Sequence, residues 1–243
     1  MKAVILAAGK GGRLEPFTKN TPKCLVKVRG RPIIDYLLEG LAEAGIDDIA
    51  IVVGYLADKI KNHFRGKYRI FLNKDYATTN SMYSLWLMKD ELIDRNFILF
   101  NSDLIFSKRL LKRVVDFDKK TASLVDNTKE LKDGEMNVTI KEGAISEISK
   151  EIKAKDASAE SAQITKFSAR DSAILFRRIE QIISSGDRGR FPADAYEAII
   201  EESNLYPVFT QGLDWIEIDS ISDMDHALDN VHNAFDEYFK INI

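Results

Sequence analysis

Apolar positions recur along this chain in two alternating rhythms. Short runs at Lys2 to Leu6, Ile49 to Val53, Tyr68 to Leu72 and Phe97 to Phe100 read as strands. Between them, Ile33, Ile34, Leu37, Leu38 and Leu41 place a helical stripe over Pro32 to Ala44, closed by Gly45. Ala57 to Phe64 and Ser81 to Leu92 read as further helices. The run Ile49 to Val53 has no polar break, which argues for a sheet covered on both faces. Strand and helix alternate, so the first half predicts a mostly parallel α/β sheet with crossover helices.

The rhythm changes after about Ser123. Asn137 to Ser149 alternate around Glu142-Gly143 and predict a β-hairpin. Glu151 to Glu160 are polar and rich in Ala and Ser, which reads as an exposed loop or lid. Helices are expected at about Ala169 to Ser184 and Pro192 to Glu202, strands at Tyr206 to Phe209 and Trp215 to Ile218, and a long amphipathic helix from Ser222 onward. No internal repeat or low-complexity linker separates these parts, so a single domain with a small hairpin-containing insert is expected.

Composition narrows the classes of function. The chain has 243 residues, 45% hydrophobic and 30% charged, with net charge −3. Its Lys and Arg are scattered rather than clustered, which speaks against a nucleic-acid partner. Cys24 is the only cysteine, so an intramolecular disulfide and a Cys-cluster zinc site are excluded. No apolar run reaches the roughly 18 residues of a membrane span. The residues after Met1 lack a cleavage-site pattern, and the expectation is a cytoplasmic protein, monomeric or homodimeric, with no membrane association.

The chemistry concentrates where strands end. Leu6-Ala7-Ala8-Gly9-Lys10-Gly11-Gly12-Arg13-Leu14 follows the first strand. Open parallel sheets bind ligands beyond the carboxyl ends of their strands. Small residues let backbone N–H groups approach phosphate oxygens, and Arg13 can add a bidentate clamp. On glycine content alone a tight turn without ligand explains the stretch equally well. A dinucleotide fingerprint would require glycine at Leu14 and an acid near Val53-Gly54-Tyr55; a P-loop would require Lys-Ser or Lys-Thr where Arg13 follows Gly12. The turn belongs to neither.

Extended through Glu15-Pro16-Phe17-Thr18-Lys19-Asn20-Thr21-Pro22-Lys23, the segment resembles the N-terminal signature of the sugar-phosphate nucleotidyltransferase superfamily. Gly12 departs from it, since relatives usually carry Ser or Thr there. The resemblance implies a Rossmann-like nucleotidyltransferase sheet flanked by helices, with an NTP-binding half over about 1–122 and an acceptor-binding half over about 123–243. It places Leu6, Ala7, Ala8 and Gly9 along base and ribose, and Gly11, Gly12 and Arg13 at the β- and γ-phosphates. Lys23 would reach the α-phosphate. Thr79, Asn80 and Ser81 would face a pyrimidine base, and Asn80 or Ser81 can also cap the following helix.

The same resemblance makes Asp103 and Asp219 ligands of Mg²⁺. From position alone, Asp103 in Asn101-Ser102-Asp103 reads as a helix cap. Glu217 and Asp219 lie two apart on a strand, so their side chains share a face. Paired carboxylates are tolerated when solvated or when they share a cation, and Mg²⁺ takes carboxylate oxygens, phosphate oxygens and waters in an octahedron. A solvent-facing edge strand is the plainer alternative.

Among superfamily members the chain resembles small cytidylyltransferases for phosphocholine or 2-aminoethylphosphonate, through Asn80 to Leu85, Glu135 to Val138, Ile164-Thr165-Lys166 and Trp215 to Asp219. The implied partners are an NTP, CTP foremost, and a small phosphorylated acceptor. Lys150 stands where sugar-specific relatives carry the lysine of Glu-Lys-Pro and is expected at the acceptor phosphate. Tyr196 and Trp215 could wall an aromatic cage for a quaternary ammonium. Choline-specific relatives place an aromatic near Met136, however, and Glu135, Asp194 and Glu197 could pair with a primary amine instead. No catalytic histidine is required, because a phosphate monoester with a second pKa of about 6 is already an anionic nucleophile. His63, His226 and His232 lie away from every motif. A sugar-1-phosphate nucleotidyltransferase using UTP, dTTP or GTP, and a non-catalytic nucleotide-binding domain, are the competing readings.

Overall fold

The computed structural model describes residues 1–118 and 121–234. The strands are β1 (Lys2–Ala7), β2 (Lys27–Val28), β3 (Arg31–Pro32), β4 (Ile49–Val53), β5 (Arg69–Leu72), β6 (Phe97–Asn101), β7 (Leu104–Phe106), β8 (Ala122–Asp126), β9 (Asn137–Lys141), β10 (Ala144–Ser149), β11 (Ala159–Phe167), β12 (Tyr206–Phe209) and β13 (Trp215–Glu217). The helices are α1 (Ile33–Glu43), α2 (Ala57–Phe64), α3 (Ser81–Trp86), α4 (Lys89–Leu92), α5 (Lys108–Asp116), α6 (Ala169–Ser184), α7 (Glu197–Glu202) and α8 (Ile221–Ala234). The expected continuation of α8 beyond 234 lies outside the described residues. No helix among the described residues is long and apolar enough to cross a membrane.

One sheet runs β10-β9-β11-β6-β1-β4-β5, with β8 paired to β11 and β12 to β8. Its centre is parallel: β1 lies between β4 and β6, and β5 follows β4. Strand order therefore reverses at β1, and the crevice beyond its carboxyl end is a topological switch point. Alternate side chains divide between two cores. Val4, Leu6, Ala50, Val52 and Leu99 pack under α3, α6 and α7. Ala3, Ile5, Ile49, Ile51, Val53, Ile98 and Phe100 pack under α1, α2 and α5. Both faces are covered, which is why these strands are apolar throughout.

The hairpin forms as the sequence predicts. Glu142 and Gly143 both take positive φ, at 51° and 79°, and join β9 to β10 as a two-residue turn. The helix α5 over Lys108–Asp116 is not among the expected elements, and the helix expected over Pro192 to Glu202 divides into a 3₁₀ turn (Pro192–Ala195) and α7. Three further features differ from expectation. First, the helix over Ser81 to Leu92 is two short helices, α3 and α4. The chain tightens between them, with the Met88 amide donating to the Leu85 carbonyl at 2.9 Å, and Met82, Leu85, Met88 and Leu92 all stay in the core. Second, β7, β8 and β11 are strands that the apolar pattern does not announce. β11 carries Ser161, Thr165 and Lys166 as buried polar residues. Thr165 pairs with Ser123 within the sheet at 3.0 Å, and the Lys166 ammonium donates to the Phe117 carbonyl at the end of α5 at 2.6 Å, so both polar groups are satisfied. Third, Glu151 to Glu160 form an exposed loop only as far as Ser158, and not a free lid. Ala159 and Glu160 already belong to β11, and Asn137 donates to the Ile152 carbonyl at 2.9 Å.

A third, smaller core matters most for position. Leu14, Val26, Val28, Ile33, Tyr36, Ile105, Ile218, Met224 and Ala227 pack together. It fastens the loop after β1 to the segments around β7 and β13. Close approach at a second point holds the same loop. The Tyr55 amide donates to the Ala8 carbonyl at 2.9 Å, and a Cβ on Gly54 would lie 2.7 Å from that oxygen and 2.6 Å from Tyr76 Cβ. Gly54→Ala is expected to cost about 1–3 kcal/mol, by forcing these backbones apart. Urea unfolding checks this, and an unshifted midpoint would contradict the close packing.

Candidate active site

Leaving β1, the chain turns sharply. Gly11 takes a left-handed conformation, φ 67°, and its carbonyl accepts from the Leu14 amide at 3.1 Å and the Thr18 hydroxyl at 2.9 Å. A Cβ at Gly11 would lie 3.0 Å from Lys23 Cβ and Cδ, so the lysine stem passes directly over the glycine. Lys23 opens a short 3₁₀ turn, Lys23–Leu25, and is nearly buried. Arg13 remains largely exposed at the rim, with 70% of its side chain accessible.

The acidic side is set by strand register. Asp103 sits in the turn between β6 and β7. β13 pairs antiparallel with β7, Glu217 opposite Leu104, and the Ile218 amide donates to the Asp103 carbonyl at 2.9 Å. This register brings Asp219, just past the end of β13, next to Asp103. One carboxylate oxygen from each of Asp103, Glu217 and Asp219 lies within 4.8 Å of the others. The Lys23 ammonium donates to both Asp103 and Asp219, and Arg13 donates to the other oxygen of Asp219.

The charges shift one another. Burial lowers the pKa of Lys23, but the carboxylates of Asp103 and Asp219 outweigh it and hold the ammonium above its usual range. Burial would raise Asp219, yet Lys23 and Arg13 keep it lowered. Glu217 is pushed up to about 8, first by burial and then by the charges of Asp103 and Asp219, against the pull of Lys23 and Lys150. Asp103 Oδ1 is buried without a hydrogen-bond partner. Three hard carboxylate donors, one with an orphaned oxygen and one reluctant to ionise, fit a small divalent cation such as Mg²⁺.

The opposite wall is neutral and polar. Asn73, fully buried at the end of β5, donates to Thr79 at 3.1 Å and Ser84 at 3.0 Å. Asn80 caps α3: its carbonyl oxygen accepts from the Ser81 amide at 2.8 Å, while its amide donates to the Gly189 carbonyl at 3.1 Å. Tyr76 and Phe191 are the aromatic rings along the cleft, and the Lys150 ammonium lies 5.6 Å from the Phe191 ring centre.

Of the residues singled out from sequence, Leu6, Ala7, Ala8, Gly9, Gly11, Arg13, Lys23, Thr79, Asn80, Ser81, Asp103, Lys150, Glu217 and Asp219 line this one cleft. Gly12 belongs to the same turn without lining it. Trp215 does not line it either, which corrects the expected aromatic cage. Its indole N–H donates to Asp126 at 2.7 Å, and the Lys129 ammonium lies 3.4 Å from its ring centre. Tyr196 is buried beside the cleft rather than in it, because its ring packs against Phe167 at 5.4 Å. Asp194 and Glu197 face a separate groove, where Asp194 accepts from the Phe191 amide and Glu197 pairs with Arg178. His63 pairs with Asp35, and no histidine lines the cleft among the described residues. Asn73, Tyr76, Asn101, Gln163 and Phe191 line the cleft without having been anticipated. Asn73 and Asn101 could have been found as polar residues at the carboxyl ends of strands. Gln163 carries no local signal.

A family model described as "Nucleotidyl transferase" matches residues 2–150. The CTP:phosphoglutamine cytidylyltransferase of Campylobacter jejuni is 30% identical over 250 residues, covering 93% of this chain and 98% of that protein. The choline-phosphate cytidylyltransferase of Streptococcus pneumoniae is 49% identical over 109 residues, 42% of this chain and about half (47%) of the relative. In structure, the CTP:phosphocholine cytidylyltransferase of S. pneumoniae superposes with a TM-score of 0.78 at 26% identity, covering 95% of this chain and 98% of that one.

Lys23 is the cation that two of the three clustered carboxylates, Asp103 and Asp219, share. Lys23→Met should therefore cost about 3–5 kcal/mol in the metal-free protein, the scale for leaving buried charge uncompensated. Adding millimolar Mg²⁺ should restore part of that loss more than it stabilises the wild type. Equal Mg²⁺ shifts in both proteins, read by thermal unfolding, would argue against a cation site there.

Proposed function

This chain belongs to the nucleotidyl transferase family, and from that premise we propose that it transfers CMP from CTP to a small phosphorylated or phosphonylated acceptor and releases pyrophosphate. The observation that carries the reading is convergence: Arg13 and Lys23 from the start of the chain meet Asp103 and Asp219 at the switch point of the sheet. The names of the cytidylyltransferase relatives support CTP as donor.

In this reading an acceptor phosphate oxygen attacks the α-phosphorus, a new P–O bond forms, and the bond to pyrophosphate breaks with its electron pair leaving on pyrophosphate. The acceptor is already anionic near neutral pH, so no side chain needs to remove a proton. The protein's task is alignment and charge compensation. Arg13 and the Gly11–Gly12 turn hold the departing phosphates. Lys23 meets the α-phosphate, where it offsets the charge that develops as the bonds exchange. Mg²⁺, held by Asp103 and Asp219 with Glu217 beside them, would neutralise phosphate charge when bound. The wall of Thr79, Asn80 and Ser81 borders the base, with the Asn80 amide already committed to the α3 cap and the Gly189 carbonyl. Lys150 draws the acceptor's phosphate.

Trp215 lies outside the cleft with the Lys129 ammonium over its ring, and Tyr196 lines only a small pocket adjoining it, so the two do not wall one cage for a quaternary ammonium. The acceptor is accordingly open among phosphoglutamine, 2-aminoethylphosphonate and phosphocholine. A panel of CTP, UTP, dTTP and GTP against these three and a set of sugar 1-phosphates, read by pyrophosphate release, decides it. CTP with a non-sugar acceptor should give turnover; turnover confined to sugar phosphates, or none at all, would overturn the reading. Asp103→Asn should lower kcat by at least about 100-fold while leaving the unfolding midpoint near wild type. Retained activity would remove Asp103 from its assigned role.

A further inference from the structure

β11 carries an irregularity that its sequence gives no reason for. Pairing with β8 slips between Ser161 and Thr165, which marks a bulge. At its centre Gln163 takes φ 55°, a left-handed conformation that glutamine adopts only at a cost. The Gln163 amide N–H is held by the Ser161 hydroxyl at 3.1 Å. In a regular strand the side chain of residue 163 would alternate strictly with its neighbours; the bulge instead re-aims it at the cleft, which Gln163 lines.

What the side chain touches explains the distortion. Its carbonyl oxygen accepts from the Asn101 side-chain amide, at the carboxyl end of β6. Its amide then donates to a carboxylate oxygen of Glu217, on β13. The Asn101 contact fixes which end of the Gln163 amide faces Glu217. The pair therefore holds Glu217 in one orientation, with a donor on one oxygen and one carboxylate oxygen within 4.8 Å of those of Asp103 and Asp219.

We propose that Gln163 is a positioning residue, held by Asn101 on a strained bulge, that fixes the orientation of Glu217 in the carboxylate cluster. This rests on the reading that the cluster serves nucleotidyl transfer, and it adds a residue that neither the family match nor the motif assigns. A partner that orients a ligating carboxylate typically changes affinity or activity by about 10–100-fold when removed.

The test compares Gln163→Ala with Gln163→Gly in the full chain. Both remove the side-chain amide, but only glycine relieves the positive φ. The glycine variant should therefore unfold about 2–6 °C above the alanine variant, reversing the usual order for a strand. Both should lose kcat alike, by about 10-fold or more, and both should lose most of the midpoint shift that millimolar Mg²⁺ gives the wild type. Loss of activity that tracks the midpoint would mean Gln163 is merely structural, and so overturn the proposal. Retention of both kcat and the Mg²⁺ shift in the two variants would overturn it as well. A wild type that shows the Mg²⁺ shift but turns over no substrate would refute the proposed function alone, since the shift still judges Gln163. Absence of the Mg²⁺ shift from the wild type would sink the proposal by itself.

Discussion

Three carboxylates gathered within 4.8 Å repel one another, and the rest of the site is arranged around offsetting that repulsion. Lys23 and Arg13 do so directly, through ion pairs to Asp103 and Asp219. Glu217 responds differently, with its pKa pushed up to about 8, and it gains a hydrogen bond from Gln163 instead of an ion pair. A cluster of this kind does little for stability, because desolvating the charges offsets much of what their pairing returns.

The fold assembles this cluster by two mechanical devices. One is the switch point at β1, which opens a crevice between the ends of β4 and β6 and directs the glycine turn into it. The other is the β7–β13 pair, a short antiparallel ribbon whose register sets Asp219 beside Asp103 across more than a hundred residues of sequence. The small third core joins them, since Leu14 and Val26 lie next to Arg13 and just after Lys23 while Ile105 and Ile218 lie beside the acids in the chain. Rigid support of this sort suits chemistry that depends on alignment rather than on a reactive side chain. β11 pairs with β6, β8 and β9 and carries Gln163 into the cleft on the way.

Two residues of unusual backbone conformation, Gly11 and Gln163, line the cleft, and Gly54 packs against the Ala8 carbonyl beside it. Gly54 lets the Ala8 carbonyl and Tyr76 approach more closely than a Cβ would permit, and at Gly11 a Cβ would crowd the Lys23 stem at 3.0 Å. Gln163 accepts a conformation that glycine would take without cost, which is informative because no local turn requires it there. The neutral wall of Asn73, Thr79, Asn80 and Ser84 is tied together by its own hydrogen bonds, so its polar groups are oriented in advance.

Much of this was legible in the chain itself. The central strands, the first helices, the hairpin turn and the glycine-rich segment from Leu6 to Lys23 announce themselves, because their signals are local: apolar periodicity, turn chemistry and small residues beside a cation. Asp103 and Asp219 were nominated by resemblance, since an acid after a strand is otherwise an ordinary cap. What only the tertiary structure decided were the long-range pairings. The register that joins β7 to β13, the burial of polar β11, the Lys129 ammonium over Trp215 and the Asn101–Gln163–Glu217 relay all depend on partners far away in sequence. Local sequence fixes periodicity and turn preference; which polar group meets which across a sheet is set by register and packing, and no window of neighbouring residues contains that information.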